Sequence, residues 1–159
     1  MTEKHTISCL VENHFGVLAR VAGLISARGF NIDSLTVSAT EDPTISRMTI
    51  VVDADAVKLE QVKRQLDRLI DVIEVKELHE GEFIDRELLL AQVKVAGKTR
   101  AELERAVTAF GGRVAEATDR SVVVEAAGDT NVLDRLVEQL RVFGIEKLVR
   151  TGRVALEKE

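Results

Sequence analysis

The order in which two hydrophobic periodicities alternate along the chain constrains its fold more than any other feature. In the first half, segments with the period of a strand and segments with the period of a helix follow one another as β-α-β-β-α-β. The same order recurs in the second half, without obvious residue identity between the copies. A unit of about 75 residues in this order can lay two helices on one face of a four-stranded antiparallel sheet. The sequence therefore predicts an α+β protein with two ferredoxin-like βαββαβ domains in tandem.

The first half is divided by turn residues and helix caps. Strands are predicted over residues 5–12, 31–40, 45–53 and 71–78. One helix begins near Val17 and ends at Arg28-Gly29, where glycine favours the left-handed conformation that closes helices. Asp55 is placed to cap a second helix that carries a regular apolar stripe. These assignments predict a first domain over residues 1–79.

The second half repeats this pattern after a predicted linker over residues 80–85. Strands are predicted over residues 87–95, 113–118, 121–127 and 145–149. One helix follows a cap at Thr99 and ends at Gly111-Gly112, and another begins at Asp129 or Thr130. The second domain is accordingly predicted over residues 86–159.

The core of both domains is expected to be aliphatic, because the chain has five Phe and neither Trp nor Tyr. Hydrophobic residues make up 45% of the chain, so wholesale disorder is not expected. Domains this small bury only about 60% of the surface of their unfolded chain and are marginally stable alone. We therefore expect the domains to pair with each other or with a second chain, and the protein to form an oligomer.

The charge and hydropathy of the chain argue against two kinds of partner. The formal net charge is −5, from 22 basic and 27 acidic residues, and neither half has the basic excess that favours nucleic-acid binding. No apolar run approaches the roughly 20 residues that span a bilayer. The first residues, MTEKHTISCLVEN, lack the apolar core of a signal peptide. We expect a cytoplasmic protein that binds neither nucleic acid nor membranes.

Residue types that carry chemistry do not form a catalytic pattern in this sequence. The single cysteine, Cys9, lies in a predicted strand without a patterned His or Asn partner, and is interpreted as a small buried hydrophobe. The three histidines lack the spacing of metal ligands, so no metal site is predicted. Gly111-Gly112 has neither the spacing of a dinucleotide fingerprint nor the Lys-Ser/Thr of a phosphate-binding loop. We expect no catalytic residues in this chain.

One stretch, ENHFGVLAR at residues 12–20, does point to a ligand. A strand ends there, a turn with Asn13 and Gly16 follows, and a helix begins near Val17. Amides at a helix start lack intrahelical partners and carry partial positive charge, so they can bind a carboxylate. Glycine allows close approach to the backbone, and the Asn side chain both donates and accepts, which suits a free amino acid. The alternative is that Asn13 and Gly16 only make the turn.

This stretch and the motifs that follow it resemble a known family. The motifs are NxxGVL at 13–18, RGFNI at 28–32, SLTV at 34–37, DP at 42–43 and SRMTI at 46–50. In this order they resemble the regulatory small subunit of acetohydroxyacid synthase, also called acetolactate synthase. The match is dense over residues 5–95 and follows length and pattern over the rest.

The resemblance implies an N-terminal ACT domain followed by a second ferredoxin-like domain. It also implies a non-catalytic subunit that holds no cofactor and binds a larger catalytic subunit, which carries thiamine diphosphate, FAD and Mg²⁺. That enzyme stands at the entry to branched-chain amino acid biosynthesis, including isoleucine biosynthesis. The small subunit is expected to raise its activity and to confer feedback inhibition by valine.

The resemblance further implies where valine binds, in a homodimer formed through the ACT domains. The carboxylate is expected at the amides of Gly16, Val17 and Leu18, with Asn13 on the polar head. Asn31 and Ile32 of the neighbouring chain are expected to close the site. The aliphatic side chain is expected to rest against Val17, Leu18 and Ile32.

Two alternatives come from other functional classes. The chain could be an ACT-domain regulator that senses an amino acid for another enzyme or for transcription. It could also be an enzyme on a ferredoxin-like scaffold, such as an acylphosphatase-like hydrolase that uses Arg20 and Asn31. That hydrolase needs its Arg on an anion-cradling loop, whereas Arg20 is predicted inside the first helix.

Overall fold

The computed structural model describes residues 3–96 and 99–159. The chain forms two compact units, of which the second is Asp85–Gly152 and the first combines Met1–Ile84 with Arg153–Glu159. The boundary between the compact units at Gly152 lies inside the range of residues 86–159 that the sequence assigns to the second domain. The chain returns to the first unit after Gly152 because its last residues bond to groups of that unit.

The first unit has the predicted β-α-β-β-α-β order. Its elements are β1 (Glu3–Glu12), α1 (Val17–Ala27), β2 (Asn31–Ala39), β3 (Ile45–Ala54), α2 (Ala56–Leu66) and β4 (Val72–Leu78). The strands form an antiparallel sheet in the order β2-β3-β1-β4, so β2 lies at an edge. This is the ferredoxin-like topology that the periodicity predicted.

The core of the first unit lies between the sheet and its two helices. Alternate residues of β1, namely Ile7, Cys9 and Val11, are buried in it, as the period of two requires. Each helix buries one residue per turn: α1 contributes Val17, Val21 and Ile25, and α2 contributes Leu59, Val62 and Leu66. The core is aliphatic, as the scarcity of aromatic residues predicted.

The second unit repeats this architecture. Its elements are β5 (Phe83–Lys94), α3 (Thr99–Ala109), β6 (Arg113–Ala117), β7 (Ser121–Gly128), α4 (Thr130–Arg141) and β8 (Ile145–Arg150). The strand order is β6-β7-β5-β8. β5 begins at Phe83, four residues earlier than predicted, so the expected linker is partly strand. Thr99 is the first residue of α3 rather than a residue preceding it.

One strand, β9 (Val154–Glu157), was not predicted, and it pairs with β5. The segment around it is held to the first unit by side chains. Arg153 Nη1 donates to Thr6 Oγ1 at 2.8 Å, and Thr36 Oγ1 donates to the Arg153 carbonyl at 2.9 Å. Lys76 Nζ lies 2.9 Å from Glu157 Oε2. A strand this short has too few residues to show a period, and its partners are distant in sequence.

Local signals placed the helix ends well. The Asp55 side chain accepts a hydrogen bond from the Lys58 amide, so the predicted cap of α2 is confirmed. The Asp129 side chain accepts one from the Val132 amide, so Asp129 caps α4, which begins at Thr130, the second of the two predicted start residues. Gly29 follows α1 with φ +75°, in the left-handed conformation expected of a residue that closes a helix.

Candidate functional site

The turn between β1 and α1 is held to the loop between β2 and β3. The Asn13 amide donates to the Thr44 carbonyl at 2.7 Å, and Asn13 Nδ2 donates to the Pro43 carbonyl at 2.9 Å. Among the described residues, the Asn13 Oδ1 atom has no hydrogen-bond partner. The side chain is exposed, so this acceptor remains available to a ligand.

Gly16 occupies the cap position of α1, with φ +86° and ψ −9°. No side chain caps this helix, in contrast to α2 and α4. A Cβ atom added at Gly16 would meet only Arg20 Nη1, at 3.7 Å. The helix therefore starts with amides that no side chain caps, and there is room for a small group to approach them.

Val17 and Leu18 differ in what they offer a ligand. The Val17 side chain is 3% exposed and packs in the core of the first unit, and its predicted contact with the aliphatic part of valine stays a prediction. Its amide lies 3.5 Å from the His14 carbonyl, a long contact. The Leu18 side chain is 42% exposed, so it is the apolar group of this turn that a ligand reaches.

Asn31 and Ile32 lie at the other end of α1, at the start of β2. The 11 residues of α1 separate this end from Gly16 by about 16 Å. Asn31 is exposed opposite Asp53, and Ile32 packs partly against the core. A single chain does not bring Asn31 next to Asn13, so the contribution of Asn31 from a neighbouring chain stays a prediction.

The hydrolase alternative is not supported by this geometry. Arg20 lies in the first turns of α1, and its Nη2 atom lies 2.5 Å from Asp71 Oδ2. Asn31 follows the opposite end of the helix, so the two side chains form no joint anion site in one chain.

A group of charged side chains beside the turn was missed by the sequence. We call Glu12, His14, Arg20 and Asp71 the turn cluster. His14 Nε2 lies 3.0 Å from both Glu12 Oε2 and Asp71 Oδ1, and Asp71 also binds Arg20. The Asp71 side chain is 9% exposed, whereas the other three are about half exposed. Asp71 is far from His14 in sequence, so no local pattern joins them.

The turn cluster raises the pKa of His14 above its ordinary value. The hydrogen bond to Glu12 contributes most, the Phe15 carbonyl is next, and slight burial opposes them. Ligand atoms of Glu12, His14 and Asp71 lie within 4.8 Å of one another, a spacing that could hold a metal ion. Arg20 already binds the Asp71 carboxylate, so a cation would compete with its guanidinium.

The equivalent turn of the second unit lies between β5 and α3, and residues 97 and 98 of it fall outside the described residues. A groove of about 510 Å³ lies beside it, lined among others by Val95, Arg120, Phe143 and Glu146. Its charged side chains have both signs.

Cys9 is completely buried in the core of the first unit, and burial raises the pKa of its thiol to about 12. We expect iodoacetamide at about pH 8 to leave the native protein unlabelled, because the buried thiol is out of reach of the reagent and is held in its unreactive protonated form. Urea-unfolded protein should label completely under the same conditions, as measured by mass spectrometry. Rapid labelling of the native chain would contradict the interpretation of Cys9 as a core residue.

Comparisons with known proteins decide the family. Residues 7–74 match the model of the AHAS small subunit-like ACT domain, and residues 86–159 match the model of the small subunit of acetolactate synthase. The chain is 47% identical over 154 residues to an acetolactate synthase small subunit of Mycobacterium leprae, covering 97% of this chain and 91% of that protein. This chain belongs to the acetolactate synthase small-subunit family.

Other members of the acetolactate synthase small-subunit family agree with this assignment. The isozyme 3 small subunit of Salmonella typhimurium is 41% identical over 156 residues, covering 98% of this chain and 96% of that protein. The crystal structure of the Thermotoga maritima small subunit matches with a TM-score of 0.88 and 30% identity, covering 99% and 98% of the two chains. The fold is therefore confirmed as two βαββαβ units in tandem, with an ACT domain first.

Among the described residues, none of the helices has the length and apolar character that crossing a bilayer requires.

Proposed function

We propose that this chain is a non-catalytic regulatory subunit, which activates the catalytic subunit of acetolactate synthase and confers feedback inhibition by valine. The observation that carries this proposal is the uncapped start of α1 at Gly16, beside the exposed Asn13 side chain. It lies in the ACT domain of a family whose members are named small subunits.

The turn at Gly16 has the chemistry to hold the polar end of a free amino acid. The first amides of α1 carry the positive end of the helix dipole, about half a unit charge, which favours a carboxylate. The free Asn13 Oδ1 atom is an acceptor for the ammonium group of the same molecule. A ligand with both charges on one carbon fits these two groups together.

The second half of the site is proposed to come from a second copy. β2 is an edge strand of 9 residues, so one side of it is free to pair among the described residues. If two copies pair antiparallel along β2, the start of one strand meets the end of the other. Asn31 of the partner subunit then lies beside the loop after Ala39 that binds Asn13. This supports a homodimer formed through the ACT domains.

The aliphatic part of valine is proposed to rest against Leu18 and against Ile32 of the partner subunit. Burial of three or four carbons stabilises the complex by about 2–3 kcal/mol, so valine is preferred over alanine. Leucine and isoleucine differ from valine by one methylene, which discriminates by only about 1–3 kcal/mol. We therefore expect valine to be the main effector, with some inhibition by its larger relatives.

Catalysis is proposed to reside in the large subunit, with thiamine diphosphate, FAD and Mg²⁺, while this chain holds no cofactor. Valine inhibits if it binds more tightly to the dimer arrangement that activates the large subunit less. Couplings of this kind are typically about 1–3 kcal/mol. An effector shared between two copies provides such a coupling, because its binding changes how tightly the copies associate.

The test is to reconstitute the chain with its catalytic subunit and to measure acetolactate formation with and without valine. We expect the wild-type chain to raise the rate and valine to lower it. Asn13→Ala should still activate but lose at least about tenfold in valine sensitivity, because a hydrogen bond to a charged ligand group contributes about 1.5–3 kcal/mol.

The matched control for Asn13→Ala is Asn131→Ala, which removes an exposed asparagine of the second unit. It should keep both activation and valine inhibition. Full valine sensitivity of Asn13→Ala would contradict the site. No change in rate on mixing with the catalytic subunit would favour an ACT-domain regulator of another enzyme or of transcription.

A further inference from the structure

We infer that His14 is a positioning residue of the effector site, which aims the Gly16 amide at the ligand and does so best as an imidazolium. This inference rests on the function proposed above. It adds a proton-linked control to the same site: the affinity for the effector depends on the charge of one side chain in the turn cluster.

The first step concerns the peptide between Phe15 and Gly16. His14 Nδ1 lies 3.5 Å from the Phe15 carbonyl oxygen, a long contact to an atom that can only accept a hydrogen bond. In a trans peptide the carbonyl and the following N–H point in opposite directions. A contact that holds the Phe15 carbonyl toward the imidazole therefore turns the Gly16 N–H away from it.

The second step concerns why this peptide needs to be held. Gly16 has φ +86°, and glycine adopts positive and negative φ with similar ease. No side chain caps the helix start to fix the orientation of the turn. Among the residues that the structure describes, the His14 imidazole is the side chain that is hydrogen-bonded to the peptide just before the uncapped amides.

The third step concerns the charge of the ring. Its Nε2 atom lies 3.0 Å from a Glu12 oxygen and 3.0 Å from an Asp71 oxygen, and its Nδ1 atom faces a carbonyl. All these partners are oxygen atoms of carboxyl or carbonyl groups, which accept hydrogen bonds. A neutral histidine has one N–H, so it can donate either to the carboxylates at Nε2 or to the carbonyl at Nδ1. The imidazolium donates from both nitrogens. The surroundings of the ring therefore match its protonated form.

The fourth step concerns how firmly the partners are held. Asp71 is bound to Arg20 at 2.5 Å, and its backbone carbonyl accepts the Glu12 amide at 2.8 Å. Glu12, Asp71 and Arg20 are thus the charged groups that face His14, from β1, from the turn before β4 and from α1. The loop that holds Asn13 carries Asp42, which is bonded to Thr44 instead. The Nε2 side of the ring is therefore held by Glu12 and Asp71, and its Nδ1 side contacts the turn at Gly16.

The direction of the pH effect follows from these contacts. They raise the pKa of His14 above its ordinary value of 6.5, with Glu12 as the largest cause. The imidazolium is present below the raised pKa and is lost as the pH rises through it. Valine affinity should fall over that range. By reciprocity, bound valine should raise the pKa of His14 further.

The experiment is a calorimetric titration of the full chain with valine, in EDTA, between about pH 5.5 and pH 8.5. We expect the dissociation constant of the wild type to rise about fivefold across the titration of His14, the low end of couplings between linked groups. For His14→Gln, the dissociation constant should not change with pH and should equal the weaker affinity that the wild type shows at high pH. Glu12→Gln should move the midpoint to lower pH, because it removes the main cause of the raised pKa.

A second measurement of the same linkage uses NMR instead of calorimetry. The imidazole proton resonance of His14, followed by NMR with pH, should report a pKa above 6.5 that increases when valine is present. A role of His14 in folding alone would not produce that increase. Thermal unfolding of His14→Gln provides the check that the variant is folded.

The outcomes separate this inference from the function on which it rests. The role of His14 is overturned if the dissociation constant of valine does not change with pH in the wild type, or changes equally in His14→Gln. Either result leaves the proposed effector site intact. If the affinity for valine depends on pH only when EDTA is absent, the role of His14 is overturned in favour of a cation bound by Glu12, His14 and Asp71. Absence of valine binding at every pH overturns the proposed function, and this inference with it.

Discussion

A Gly16→Asp chain is expected to bind valine at least about a hundredfold more weakly than the wild type. The new carboxylate stands at the helix start where the carboxylate of the ligand is proposed to bind. Two like charges about 4 Å apart near a protein surface repel by about 4 kcal/mol, which exceeds the 2.7 kcal/mol or so of a hundredfold loss. The loss of valine affinity is measured by calorimetry on the isolated chain and by valine inhibition of the reconstituted enzyme.

The Gly16→Asp chain should still fold and activate the catalytic subunit. A side chain with φ +86° costs about 1–2 kcal/mol in backbone strain. The only atom within 4 Å of the added Cβ is Arg20 Nη1, at 3.7 Å, whose positive charge favours the new carboxylate. The loss therefore concerns the effector and not the fold.

The matched control for Gly16→Asp is Gly81→Asp. Gly81 has φ +87° and nothing within 4 Å of an added Cβ, so the substitution has the same strain and adds the same charge. It lies in the turn between β4 and β5, away from the start of α1. It should keep the wild-type affinity. Equal affinities of the two variants would refute the carboxylate site at Gly16.

The second large effect is expected from Gly112→Ala, which should lower the free energy of unfolding of the second unit by about 1–3 kcal/mol. An added Cβ would lie 2.8 Å from the Glu125 carbonyl oxygen, 2.8 Å from Val107 Cγ1 and 3.1 Å from Ala126 Cβ. Glu125 belongs to β7, which is paired with strands on both sides, so its backbone cannot move away easily.

The same methyl group should have the opposite effect at Gly23. That glycine is exposed inside α1, and an added Cβ there meets nothing within 4 Å. Gly23→Ala should stabilise the first unit by about 0.5–1 kcal/mol, because alanine favours the helix. Native-state hydrogen exchange reports the two units separately. Equal shifts of the same sign for the two variants would show that close packing at Gly112 is not the cause.

Gly111-Gly112 also shows where sequence reasoning stops. The pair was predicted to end α3, and Gly111 does so with φ +75°. The role of Gly112 is different, since it lets β7 and α3 approach closely. The end of a helix is a local property, and a glycine in the sequence indicates it. The close approach of a helix to a strand depends instead on which strand the fold places opposite the glycine.

The candidate site divides in the same way. The uncapped turn with Asn13 and Gly16 was predicted, because a helix start and its cap residues are neighbours in sequence. That Val17 is buried and Leu18 exposed depends on how α1 sits on the sheet. The contact of His14 with Asp71 joins residues that only the pairing of β1 with β4 brings together.

The amino-acid sequence by itself determined the two βαββαβ units, their aliphatic cores, the cap at Asp55, and the family. Each of these follows from periods, turn residues or motifs within about a dozen neighbouring residues. Only the tertiary structure decided the return of the last strand to the first unit, the turn cluster, and the separation of Asn31 from Asn13 in one chain. These depend on contacts between residues far apart in sequence, which no local preference encodes.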